Sequence, residues 1–122
     1  MNEKEFVDGL KAETRKVMSI ADITSAEDVE YAEIEAWGGI VRIGSLTADD
    51  FIEWQESNDS PAKRTAGLRL IVKSLVDEQN NRIGTDKHIE LFKKKSVAMT
   101  EKVVAAIVKL NGLKVKGAEK NE

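Results

Sequence analysis

The sequence predicts an α+β domain, mainly helical, with one β-hairpin toward its N-terminus. Three observations carry this. Between Tyr31 and Ile43, apolar and polar residues alternate with period two around Gly38-Gly39, the pattern of a half-buried hairpin. Further on, Leu68, Ile71, Val72 and Leu75 recur at the spacing that places them on one face of a helix. Helix punctuation then frames the rest: Thr47, Ser60-Pro61, Thr85 and Ser96 stand at starts, and Asn111-Gly112 at the last stop.

Taken in order, Glu3 to Ile20 has helical period, with Phe6, Leu10, Thr14, Val17 and Met18 on one side. Ala21 to Glu30 reads as a polar connection. The hairpin, about Ala32 to Ser45, follows, with Gly38-Gly39 as its turn because both glycines tolerate positive φ. Glu33 and Glu35 before the turn and Arg42 after it suit a solvated face with cross-strand pairing. Thr47 and Asp50 form a T-x-x-D box that opens a helix through Phe51, Ile52 and Trp54 to about Ser57-Asn58-Asp59. Ser60-Pro61 restarts a helix that carries the Leu68 to Leu75 face, although the apolar run to Val76 also has strand propensity. Asp77 to Gly84 is dense in turn residues. Thr85 is expected to cap a short helix, Asp86 to Phe92, with Ile89 and Phe92 inward. Lys93, Lys94 and Lys95 separate it from a last helix that Ser96 caps and that runs to Leu110. No internal repeat appears. The organisation is therefore a helical lead over residues 1–25, a domain over 26–113 and a flexible tail over 114–122.

Bulk properties narrow the function. With 122 residues, 41% hydrophobic and 34% charged, the chain has the balance of one globular domain. A net charge of −3 argues against a dedicated nucleic-acid binder, which needs a basic face. The sequence contains no cysteine, so disulfides, thiolate nucleophiles and cysteine metal sites are excluded. No apolar run approaches the roughly 18 residues of a membrane span, and the charged N-terminus lacks the apolar core of a signal peptide.

The residues that carry chemistry elsewhere do not assemble into a site. His88 is the only histidine, and Asp86 and Glu90 beside it lack metal-ligand spacing. Gly38-Gly39 is not followed by the G-K-[ST] of a phosphate loop. Asp49-Asp50 and Asp77-Glu78 sit at a helix start and a turn, where solvation and the helix dipole account for them. Glu33 and Glu35 read as the wet side of a strand. Lys93, Lys94 and Lys95 read as a solvated linker rather than a phosphate contact. Trp37 and Trp54, without a basic groove around them, point to core packing or a protein interface rather than base stacking. No catalytic residue, cofactor site or metal site is expected.

The last helix is apolar beyond the needs of one buried face. At 100° per residue Met99, Val103, Ala106, Ile107 and Leu110 make one stripe, and Val97, Val104 and Val108 a second. Either the helix is central and packed on several sides, with the lead helix covering the second stripe, or Val97, Val104 and Val108 form a partner-binding surface.

Three segments, EIEAWGGIVRIGSLTADDF from Glu33 to Phe51, LRLIVKSLVDEQNNRI from Leu68 to Ile83 and VVAAIVKLNGL from Val103 to Leu113, together resemble the phage tail assembly chaperones. In that family a W-G-G hairpin leads through a short L-[ST] junction into a helix, an S-L-V-D-E turn follows, and the chain closes on a helix ending in L-N-G-L. The longer charged lead of residues 1–25 departs from the pattern. The resemblance implies a non-enzymatic protein that coats the tape-measure protein of long-tailed phages, keeps it soluble and helps to recruit tail tube subunits. It implies self-association along that partner, action in the host cytoplasm during assembly, and absence from the finished virion. In several relatives a ribosomal frameshift adds a C-terminal extension that contacts the tube protein. Neither nucleic acid nor membrane is an expected partner. Two rival readings are a structural minor tail or connector protein of the virion and a small DNA-binding regulator that uses Arg64, Arg69 and Lys73 on one helix.

Overall fold

The computed structural model describes residues 16–57 and 65–113. They form an α+β fold in which helices pack on a three-stranded antiparallel sheet of order β1-β2-β3. The elements are α1 (Ile20–Ser25), β1 (Tyr31–Ala36), β2 (Gly39–Gly44), α2 (Ala48–Ser57), α3 (Ala66–Ser74), β3 (Leu75–Val76), α4 (Lys87–Phe92) and α5 (Val97–Asn111).

The lead helix expected from Glu3 to Ile20 falls mostly on residues 1–15, outside the described residues, and residues 16–19 are not helical. A short helix instead occupies part of the expected polar connection. Its cause is a capping box: the Ser19 hydroxyl accepts from the Asp22 amide at 3.1 Å, and the Asp22 carboxylate accepts from the Ser19 amide at 3.0 Å. None of its residues is buried.

The hairpin forms with one change of register. Ala36 pairs with Gly39, so the turn residues are Trp37 and Gly38, at φ +53° and +78°. Two successive positive φ values are the signature of a type I′ turn, whose twist matches that of the strands. Gly39, expected in the turn, is the first residue of β2. The pairing places Ala32, Ile34, Ala36, Val41 and Ile43 on the core face. Tyr31, Glu33, Glu35, Ile40 and Arg42 take the other face. Glu33 lies opposite Arg42 and the two form an ion pair at 3.4 Å.

A third strand was not expected. α3 ends at Ser74, and Leu75 turns extended at φ −64°, ψ 131°, which lets Leu75 and Val76 pair with Ile43 and Arg42. The loop after it folds back beside β3, with Arg82 bridging to Val76. Asp77 nucleates that reversal by accepting from the Gln79 and Asn81 amides, both at 2.9 Å.

α5 packs on both α3 and β1, while α2 and α4 pack on α3. The core is Ala36, Ile43, Leu70, Ile71, Val103 and Ile107. Burial of such aliphatic side chains contributes roughly 1.5–3 kcal/mol each. α2 opens on the expected Thr47–Asp50 box, and α5 opens on Ser96, whose hydroxyl accepts from the Met99 amide at 3.1 Å. α5 closes at Gly112 in the left-handed conformation. The expected cap at Thr85 is replaced by a reciprocal arrangement in which His88 Nδ1 accepts from the Thr85 amide at 2.9 Å. The Ser60-Pro61 start and the tail after Leu113 lie outside the described residues.

Candidate protein-binding surface

The three segments that carry the resemblance meet as structural fastenings. Asn111, from the L-N-G-L ending, accepts from the Leu46 amide at 2.7 Å and donates to the Ile107 carbonyl at 2.8 Å. It thus joins the end of α5 to the junction after β2. Ser74, from S-L-V-D-E, is fully buried and donates to the Leu70 carbonyl at 2.9 Å. Arg82 donates to the Lys73 carbonyl and to the Asp50 carboxylate, the latter at 2.6 Å. Burial raises the Asp50 pKa, but the Arg82 charge and the hydrogen bonds from Thr47 and Arg82 outweigh it and hold the carboxyl below its ordinary value of 3.8.

Most of the acids and bases singled out by type are likewise occupied or solvated, while Arg69 Nη2 is buried with no hydrogen-bond partner among the described residues. The Asp50 carboxylate accepts from the Thr47 amide at the start of α2 and pairs with Arg82. Asp77 holds its turn, and Lys93 pairs with Glu90 at 2.8 Å. Arg42 donates to Asn80 at 2.7 Å and lies over the Tyr31 ring at 5.1 Å. Arg64 lies outside the described residues. Arg69 and Lys73 do not form an open basic face. Both line a cleft of about 300 Å³ with Glu53, Ser57, Asp86 and Ile89, and Lys73 pairs with Glu53 at 3.3 Å. Among the described residues, no three His, Cys, Asp or Glu side chains group as a metal site, and no helix is long and apolar enough to cross a membrane.

The second stripe of α5 divides. Val104 and Val108 are half-buried against the core cluster. A Val104 methyl stands 3.5 Å from where a Cβ on Gly67 of α3 would lie. Val97, at the start of the helix, is 69% exposed. The described part of the chain therefore partly covers the two later valines, Val104 beside Gly67 of α3, and leaves the first open.

The two tryptophans differ in the same way. Trp54 is half-buried against the core, stacks near Phe51 at 5.9 Å and donates Nε1–H to the Ala66 carbonyl at 2.8 Å. Trp37 leans on Phe92 of α4 at 6.0 Å with its ring still open to solvent. Beside it Met99 and Lys102 of α5 line a shallow cleft with Glu35, Ala36 and Gly38. Leu91, Val97 and Ile40 are also exposed. Sequence reasoning gave Trp37 to core packing or a protein interface, without locating a cleft. The groove arises because the hairpin tip reaches across to the connection between α4 and α5, which periodicity cannot show.

Neither a family model nor a curated protein matches the sequence. Among solved structures, the chain is similar to the tail assembly chaperone of bacteriophage HK97, at a TM-score of 0.56 and 13% identity. The match covers 89% of this chain and 99% of that one, so the likeness is one of fold over essentially the whole chaperone.

Proposed function

We propose that the chain is a tail assembly chaperone of a long-tailed bacteriophage, a non-enzymatic protein that binds the tape-measure protein and keeps it soluble. The observation that carries this reading is the fold shared with the HK97 tail assembly chaperone along 99% of that chain. The three segments that resemble the family support it, since they contact one another through Asn111 and Leu46, and through the Asp50–Arg82 corner.

The physical role fits. A tape-measure protein exposes a long apolar helical surface before assembly, and a coating protein must meet it with apolar side chains of its own. Here Val97, Trp37 and Leu91 are exposed. On α5, Val104 and Val108 continue the stripe of Val97 but are half-buried against the core. In this reading copies associate along the partner, help to recruit tail tube subunits, act in the host cytoplasm and are left out of the finished particle.

Co-expression of the full chain with its phage's tape-measure protein tests the reading. The expected result is a soluble complex that co-purifies, where the tape-measure protein alone precipitates. An insoluble tape-measure protein in both cases would overturn the proposal, and high copy number in purified virions would favour a structural tail protein.

A further inference from the structure

α3 carries one cation that the described chain leaves without a partner. Arg69 and Lys73 stand four residues apart on that helix, so both project to the same side of it. α2 supplies Glu53 and Ser57 opposite them, and the start of α4 supplies Asp86 and Ile89. Together these side chains line a cleft of about 300 Å³, where α2 and α4 both pack on α3. The two cations are in different situations. Lys73 Nζ stands 3.3 Å from the Glu53 carboxylate. Arg69 is half-buried and in no ion pair among the described residues, and its Nη2 is buried without a hydrogen-bond acceptor. The chain treats its other described arginines otherwise: Arg42 reaches Glu33 and Asn80, and Arg82 reaches Asp50 and the Lys73 carbonyl. A guanidinium cannot shed its charge, and burying part of one with neither counter-charge nor acceptor destabilises a fold. Such a group in a cleft is explained when a ligand completes it.

The lining narrows the ligand. The planar fork of an arginine matches the paired oxygens of a carboxylate or a phosphate. Lys73 is neutralised by Glu53, which leaves Arg69 as the cation available in the cleft. Asp86 lines the same cleft but is exposed and makes no ion pair with Arg69. One available positive charge, with two acids on the surrounding walls, accepts a single negative charge and opposes a second. That favours a carboxylate over a phosphate dianion. Half-buried Ile89 gives the cleft an apolar side chain suited to a short hydrocarbon stem beside the charged group.

We infer that the cleft between α2, α3 and α4 binds one carboxylate carried on a short apolar stem, held by the Arg69 fork with its stem against Ile89. The carboxylate belongs to a small free acid or to a glutamate side chain of another protein, which present the same group to the cleft. The assignment does not depend on the chaperone reading.

The test follows the Arg69 Nε–H signal and the Ile89 methyl signals in NMR spectra of the full chain, titrated with sodium propionate against sodium chloride at equal ionic strength. Propionate should shift both sets of signals saturably and raise the melting temperature. Inorganic phosphate should bind more weakly. Arg69→Met removes the unpaired charge and keeps the stem, so it should melt no lower than the parent and lose the saturable shift at Ile89. Arg69→Lys keeps the charge without the fork and should weaken propionate binding at least about tenfold. Asp86→Asn should leave the Arg69 signal of the ligand-free protein in place and strengthen binding. N-acetylglutamate amide, charged only at its side-chain carboxylate, separates the two sources: binding like that of propionate assigns a protein-borne glutamate, and binding of propionate alone assigns a free acid. The absence of a saturable shift at Arg69, phosphate binding tighter than propionate, or parent-like binding in Arg69→Lys would each overturn the inference. A melting temperature of Arg69→Met far below the parent's would show that the chain itself holds the guanidinium, and a displaced Arg69 signal in ligand-free Asp86→Asn would show that its own acid occupies the fork; either result would overturn it. None of these outcomes bears on the chaperone reading.

Discussion

Two regions of this small domain use their side chains in opposite ways. At the Asp50–Arg82 corner, where α2, the end of α3 and the returning loop converge, the chain's polar groups are turned on one another. Arg82 reaches both the Asp50 carboxylate and the Lys73 carbonyl, and Asp77 holds two amides of its own turn. At the Trp37 tip the tryptophan remains partly open, beside Met99 and a Lys102 that is in no ion pair among the described residues. The first region is finished by the chain itself. The second is left open by the described residues.

The sharpest way to break that contrast is at Gly84. A Cβ there would stand 2.1 Å from the Val72 carbonyl oxygen and 2.8 Å from its Cα, and backbone cannot retreat as a side chain can. Gly84→Ala should destabilise the fold by about 3 kcal/mol in a urea titration. A loss near zero would mean that the corner is not tightly closed.

The second stripe of α5 tests the boundary between the regions. Val104→Ser with Val108→Ser should cost about 2 kcal/mol, because both side chains are half-buried on the chain's own core. Val97→Ser should change stability by less than about 0.5 kcal/mol, since it is 69% exposed. Equal effects at both ends would dissolve the distinction drawn along that helix.

The smallest effect expected is on acid stability. Asp50 has its folded pKa below 3.8, so its contribution is present above that value and is lost as pH falls through the lower, folded one. The melting temperature should therefore drop on acidification from about pH 5 to pH 3, and the drop should be shallower in Asp50→Asn. Parallel curves would show that the Arg82 pair does not couple to folding.

Much of this contrast could be read in the sequence, but not its geometry. Period-two alternation located the hairpin, and the Thr47 and Ser96 caps located two helix starts, because these signals are local. The turn slipped by one residue because propensity prefers Gly38-Gly39; both registers bury the same alternating face, and the observed one sets Ala36 opposite Gly39 with Trp37 and Gly38 at positive φ. α1 was missed because its box, Ser19 with Asp22, lies in a stretch without apolar period. β3 was missed because two residues carry no pattern and pair only through their placement after α3. The double stripe on α5 was visible, yet which valines lie covered depends on Gly67 across the helix pair. The cleft at Trp37 combines two segments far apart in the chain, the hairpin tip and α5, and only the folded arrangement reveals it.

The Asn111 contact has a consequence for how the chain acquires its shape. Its partner, Leu46, lies 65 positions earlier, and β1, which α5 covers, lies earlier still. Closing so long a loop is entropically costly and must precede any reward from the contacts it makes. The hairpin can form early as a local element, but its apolar face stays wet until α5 docks Val103 and Ile107 against the core. Asn111 therefore acts as a latch: it fastens the end of α5 to the junction after β2, so that closing the sheet and docking the last helix become one cooperative step.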